Sequence, residues 1–268
     1  MNQIFDLKKY QDKGYDGSGV KIAVFDSGLG MEYQDPDLLK EMNVVEIIDF
    51  TQESVPTGED PLSLKAVDTM GHGTFVAGVI GSSNERCPGM ARGAEIYIIK
   101  LFTDDEITYS SWFLDAFNYV LDNDIDIVNL STASKDSLDT PFIDKINELT
   151  AAGVIIVSAI GNDGPTQGSG ENPADLPNVI GVGSLSSNLD DVAYFSSRGM
   201  TKLDLLDGVG IFTPDLLMPG EEIFGLSLSR GHCDLKQGTS FSVPMLSASI
   251  ALTLSAIDQD ERFGETVE

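Results

Sequence analysis

The feature that most constrains the fold is a recurrence of short, β-branched apolar runs separated by stretches with helical spacing. The runs are Val20–Phe25 (VKIAVF), Glu95–Leu101 (EIYIIKL), Ile125–Leu130 (IDIVNL), Val154–Ala159 (VIIVSA) and Val179–Val182 (VIGV). Each is short, nearly continuously apolar and bounded by turn residues, the pattern of a strand covered on both faces. Between them Trp112, Phe113, Ala116, Phe117, Val120 and Leu121 repeat at three and four residues, which predicts a helix over residues 110–122. Residues 142–152 and 240–256 follow the same rule. Strands alternating with helices build βαβ units, so the fold class is α/β with a mostly parallel sheet covered on both faces. Such sheets keep their binding sites at the carboxyl ends of the strands.

The 268 residues contain no repeat and no Pro/Gly/Ser-rich linker, which predicts one domain over residues 1–257 and a charged tail over 258–268. Residues 52–68 and 185–206 are polar and weakly periodic, and read as surface excursions. No apolar run approaches the roughly eighteen residues that cross a bilayer, and the opening residues carry no apolar segment of a secretory signal. Lys and Arg number 16 against 43 Asp and Glu, a net charge of −27. This argues against nucleic acid or an anionic membrane as partner and favours attraction of basic peptides. Cys87 and Cys233 lack metal-ligand spacing, and are read either as one pair or as two buried thiols.

Three motifs fall where a parallel sheet would place chemistry. Asp26-Ser27-Gly28 ends the first strand; alone, an Asp before Gly is a turn former. Gly71-His72-Gly73-Thr74 opens a small-residue helix, where flanking glycines admit another backbone or a ligand at close range. Gly238-Thr239-Ser240 leads into the last helix, where the Ser is either a cap or a nucleophile at the positive end of the helix dipole. Pro244 lies among the first residues of that helix, whose N–H groups lack intrahelical partners in any case. His232, the other histidine, sits outside any such helix start and is assigned no role.

Together, a strand-terminal DSG, a helix-opening GHGT and a helix-opening GTS in the order Asp, His, Ser resemble the subtilisin-like serine proteases, or subtilases. The resemblance implies a three-layer fold with a doubly wound, mostly parallel sheet, and serine endopeptidase chemistry on peptide or protein substrates. It implies a triad of Asp26, His72 and Ser240, and it makes Asn162, in Ser158–Gly164 (SAIGNDG), a donor to the oxyanion. Asn129, Leu130, Ser131, Thr132 and Ala133, with Ser158, Ala159, Ile160 and Gly161, are similar to the segments that hold the substrate backbone. The strings GHGTFVAGVI, YSSWFLDAFNYVL, VSAIGNDGP, NPADLPNVIGVG and FSSRGM extend beyond the general subtilase signature. They resemble a membrane-anchored subgroup that processes precursors in the secretory pathway. That subgroup implies residence in the ER or Golgi lumen, and an inhibitory prosegment that is expected but absent from these residues. It also implies substrates with an Arg upstream of the cleaved bond instead of a dibasic pair. The apolar Ala159-Ile160 segment beside Asn162 contains no carboxylate, so an apolar side chain is expected at the bond itself.

Some positions depart from the family pattern. Ser131-Thr132-Ala133-Ser134 lacks the glycines usual after the substrate-strand serine, Ser242-Val243-Pro244 replaces Ala-Ser-Pro, and Ala248 stands where Gly is usual. Two readings follow: an active endopeptidase, or a catalytically silent subtilase fold that grips peptides. An α/β-hydrolase is disfavoured, because GxSxG is missing and its triad runs in another order. The resemblance admits calcium as a cofactor, since many subtilases bind it in the loop after the histidine helix. Here residues 81–93 hold Glu85 as their sole carboxylate, short of the oxygen ligands a tight site needs. Asp35, Asp37, Asp104, Asp105 and Glu106 read as solvated surface, and no metal ligand is assigned. Asn129-Leu130-Ser131 is a formal glycosylation sequon on a strand expected to be buried.

Overall fold

The structure, a computed structural model, describes residues 7–30, 33, 42–51, 66–136, 138–200, 211–229 and 231–257. The tail expected at 258–268, Asp35, Asp37 and most of the 52–68 excursion lie outside these residues. The elements in chain order are α1 (Leu7–Gln11), β1 (Lys21–Asp26), β2 (Val44–Asp49), α2 (His72–Gly81), β3 (Glu95–Lys100), α3 (Ser110–Asp122), β4 (Ile127–Leu130), α4 (Thr140–Ala151), β5 (Ile155–Ala159) and β6 (Ile180–Leu185). They continue with β7 (Gly199–Met200), β8 (Phe212–Thr213), β9 (Leu216–Pro219), β10 (Ile223–Leu226), β11 (Cys233–Lys236) and α5 (Thr239–Ser255).

Seven strands form one sheet in the order β2-β3-β1-β4-β5-β6-β9, and every pairing in it is parallel. Side-chain alternation divides the core in two. Ile22 and Val24 of β1, Ile96 and Ile98 of β3, and Val157 of β5 join α2 and α5 on one face. Ala23 and Phe25, Ile99, Val128 and Ile156 join α3 and α4 on the other. This is the three-layer, doubly wound α/β fold: β2 and β3 lie to one side of β1, and β4, β5, β6 and β9 follow on the other. The helix α3 buries Phe113, Ala116, Phe117 and Val120 of the expected stripe, with Trp112 and Leu121 half-buried at its edges. In contrast α2 is buried on all sides from Gly73 to Gly81, which explains its lack of an apolar face.

The strands absent from the sequence reading are those with the weakest signal. On the sheet edge, β2 is half exposed and interrupted by Glu46, whereas β9 is short and ends in Pro219. Both β10 and β11 pair in an antiparallel hairpin outside the sheet. Cys233 in β11 forms a disulfide with Cys87 across a sequence separation of 146, which ties the hairpin to the segment after α2 and decides between the two cysteine readings.

Candidate active site

The carboxyl end of β1 delivers Asp26, and the helix α2 begins at His72. Their approach depends on two glycines. Gly28 has φ +105°, and a Cβ there would lie 2.0 Å from Ala66 O. At Gly73 a Cβ would lie 2.4 Å from Gly28 O and 3.2 Å from Asp26 Oδ1. Only unsubstituted backbone lets the helix start this close to the strand end. The resulting pair is tight: His72 Nδ1 lies 2.8 Å from Asp26 Oδ1 and 2.9 Å from Oδ2. Asp26 is buried and also accepts from Ser27 N at 2.8 Å.

Burial lowers the His72 pKa, while the charge of Asp26 and its hydrogen bond raise it, Lys236 lowers it and Asp68 raises it. The net result is a value above the ordinary 6.5. The imidazole packs on Phe241 of α5, with ring centroids 5.3 Å apart, and Phe241 packs in turn on Phe75 at 4.6 Å. Lys236 donates to Gly71 O at 3.1 Å and sits over the Phe75 ring.

The helix α5 starts at Thr239, so Ser240 falls in its first turn, where backbone N–H groups have no partner within the helix. Asn162 is fixed by its carbonyl end: Oδ1 accepts from Thr239 N at 2.9 Å and from Thr239 Oγ1 at 3.2 Å. That arrangement leaves the Nδ2 end as the donor toward the cleft. Asp26, His72, Asn162 and Ser240 line one cleft of about 680 Å³.

Of the residues expected to hold a substrate backbone, Ser131, Thr132, Ala133, Ala159 and Gly161 line this cleft. The others do not reach it. Asn129 and Leu130 are buried, the first bonded to Ser131 Oγ and Ser247 Oγ and the second in the core beneath α3, where it borders a side cavity that adjoins the cleft. Ser158 and Ile160 are likewise inside the protein. Asn129 and Leu130 point to opposite faces of the sheet, each covered by helices, and the cleft lies beyond the carboxyl end of β4. Along β5 and just after it, alternation turns Ser158 and Ile160 inward and leaves Ala159 and Gly161 at the cleft. The burial of Asn129 also takes the sequon out of reach.

Glu171 and Glu106 in the cleft and Asp68 inside the fold sit where the sequence did not place them, whereas Asp104 is exposed as expected. Glu171 lines the cleft beside Ala159 and Gly161, with its backbone N–H donating to Ile160 O at 3.1 Å. The Ala159-Ile160 segment itself contains no carboxylate, as expected, but the chain loops back beyond Gly161 and brings the Glu171 carboxylate next to it in the cleft. Glu106 also lines the cleft. Asp104 accepts from Thr69 Oγ1 at 2.8 Å and Lys100 Nζ at 3.2 Å, which together hold its pKa below the ordinary carboxylate value. Asp68, the end of the supposed surface excursion, is fully buried. A D-x-x-G spacing before His72 was the available signal, since Asp side chains commonly accept from backbone N–H groups two or three residues on.

Among the described residues no group of three His, Cys, Asp or Glu side chains could hold a metal ion, and the 81–93 segment instead carries the disulfide. No residue is assigned to calcium. His232 borders a separate hollow with Asp234 and Ser229.

A parallel doubly wound sheet carrying this Asp, His and Ser at its strand ends and helix starts defines a subtilisin-like serine protease architecture. The pattern that defines the subtilase family, peptidase S8, matches residues 17–266, and the chain belongs to that family. It is 43% identical over 262 residues to the subtilisin-like protease SBT6.1 of Arabidopsis thaliana, a match covering 98% of this chain and 24% of the relative. It is 44% identical over 248 residues to the membrane-bound transcription factor site-1 protease of Homo sapiens, covering 92% of this chain and 22% of the relative. The chain thus spans about a quarter of the length of these relatives. Among solved structures, a psychrophilic protease called S41 superposes with a TM-score of 0.72 at 27% identity, covering 90% of this chain and 78% of that one.

Proposed function

We propose that this chain is a serine endopeptidase of the site-1 protease type, with Asp26, His72 and Ser240 as its triad and Asn162 in its oxyanion hole. The observation that carries the reading is the His72–Asp26 pair at 2.8 Å, set in one cleft with Ser240 and Asn162. Asp26 holds the imidazole with Nδ1 protonated, so the other ring nitrogen is the base. Ser240 Oγ attacks the scissile carbonyl as His72 takes its proton; His72⁺ then protonates the leaving amine, and water repeats the sequence on the acyl-enzyme. Asn162 Nδ2 and the Ser240 N–H donate to the oxyanion, helped by the positive end of α5. Among the described residues the Ser240 hydroxyl makes no hydrogen bond; nucleophile–base contacts of this type tighten on substrate binding.

A side cavity of about 300 Å³ supports a preference for Arg upstream of the bond. Phe102, Phe113 and Phe142 line it with Asp136 and Asp139, and it shares Phe102, Thr132 and Ala133 with the main cleft. Aromatic faces and carboxylates together suit a long side chain with a cationic head. An inhibitory prosegment would occupy the same cleft. The Cys87–Cys233 disulfide supports residence in an oxidising lumen of the secretory pathway. The test is a peptide panel: one Arg upstream of a Leu–X bond should be cut faster than an Arg-to-Gln analogue, with the lead narrowing as salt screens the acidic surface. Equal rates for the two peptides would remove the Arg preference, and no cleavage at all would leave the peptide-gripping alternative.

A further inference from the structure

Asp68 is a buried carboxylate outside the triad whose two oxygens accept from five donors. Oδ1 accepts from Ser27 Oγ at 2.9 Å, Met70 N at 2.9 Å and Gly71 N at 2.8 Å. Oδ2 accepts from Thr74 N at 2.9 Å and Thr74 Oγ1 at 2.7 Å. These donors bracket His72 on both sides, in the turn before it and in the helical turn after it. The partners extend the brace to β1: Ser27 Oγ accepts from Gly73 N at 2.9 Å, and Thr74 Oγ1 accepts from Gly30 N at 2.8 Å. Asp68 is itself anchored, since its N–H donates to Leu29 O at 3.0 Å and Lys100 Nζ donates to the neighbouring Val67 O at 2.8 Å.

A charge withdrawn from water persists where donors replace its hydration. Here those donors are three backbone N–H groups flanking His72, from Met70, Gly71 and Thr74, and the hydroxyls of Thr74 and Ser27. We infer that Asp68 is the positioning residue of His72: its carboxylate locks the start of α2 onto the end of β1 and so sets the imidazole against Asp26. The inference rests on the triad reading above. Asp68 also contributes negative charge near the ring. The charged groups facing His72 are Asp26 from β1, Asp68 from the preceding turn and Lys236 from β11, and the first two oppose the third. Phe241, from α5, is uncharged.

The test uses Asp68→Asn, which keeps the size but cannot accept from all five donors. Only two histidines are present, so the His72 ring titration is assignable by NMR with His72→Ala as reference. Removing the Asp68 charge should lower the His72 pKa and move the acid limb of kcat/KM to lower pH. Loss of positioning should lower kcat by about 10- to 100-fold with KM little changed, the scale expected of a misplacement near 1 Å. A role confined to stability would lower the melting temperature and leave the pKa and kcat of the folded fraction unchanged; that result would overturn the inference. If Asp68→Asn does not fold, Ser27→Ala decides the matter, because it severs the link from Asp68 to Gly73 and β1. About tenfold loss of kcat is then expected, and wild-type kcat would overturn the inference. Since the titration reads His72 directly, the inference can fail while Ser240-dependent hydrolysis stands, and the triad reading can fail while the titration still shifts.

Discussion

Gly73→Ala tests how closely catalysis depends on bare backbone. The added Cβ would lie 2.4 Å from Gly28 O, 3.0 Å from Gly28 N and 3.2 Å from Asp26 Oδ1. Ordinary carbon–heavy-atom contact begins near 3.4 Å, so relief requires a displacement of about 1 Å. Gly28 cannot retreat, because it is itself pressed against Ala66 and its own Cβ position is already closed. The start of α2 must move instead, and His72 moves with it away from Asp26. A misplacement of about 1 Å costs on the order of 10²-fold in rate, equivalent to about 2.7 kcal/mol of transition-state stabilisation. The assay is the second-order rate of Ser240 labelling by a fluorophosphonate, normalised to folded protein by circular dichroism. A rate for Gly73→Ala within threefold of wild type would refute the close-packing argument.

Three further outcomes are expected. His72 titrates above 6.5, so kcat/KM should fall as pH drops through that raised value and the base becomes protonated. Because the folded pKa exceeds the unfolded one, the pair contributes stability that is complete below about pH 6.5 and is lost as pH rises through the folded value. The wild-type melting temperature relative to His72→Ala should follow that course, and a difference independent of pH between 5 and 9 would contradict it. Glu171→Gln should slow cleavage after Lys more than cleavage after Leu, read as a ratio of kcat/KM; an unchanged ratio would show that Glu171 does not meet the side chain at the bond. Reducing Cys87–Cys233 removes a cross-link spanning 146 residues, for which the chain-entropy relation gives about 5 kcal/mol. Denaturant unfolding with and without reductant measures it, and an unchanged midpoint would contradict the cross-link.

Much of this architecture is legible in the sequence, because its central strands and helices carry strong periodic signals. Phe113, Ala116, Phe117 and Val120 announce α3, and the five inner strands announce themselves as short, mostly apolar runs. Asp26, His72 and Ser240 are legible because each is tied to a boundary between elements. What sequence misses is what non-local contact creates. Asp68 looks solvated until the amides around His72 turn onto it, and Glu171 looks remote until the loop beyond Gly161 returns to the cleft. Asn129 and Leu130 show the converse. They point to opposite faces of the sheet, each covered by helices, so the wall of the main cleft falls to the residues after them. Similarly, Cys87 and Cys233 meet only because the β10–β11 hairpin folds over α2.

Active-site titration with a fluorophosphonate tests the central claim most directly, since the reagent reacts with a serine hydroxyl only where a base activates it and an oxyanion site receives the adduct. The account predicts approach to one label per chain for the wild-type protein, with the adduct mapped by mass spectrometry to Ser240. Labelling should disappear in Ser240→Ala and fall steeply in His72→Ala, while both variants keep the wild-type circular dichroism spectrum. A folded wild-type chain that takes no label, or label retained in Ser240→Ala, would contradict it.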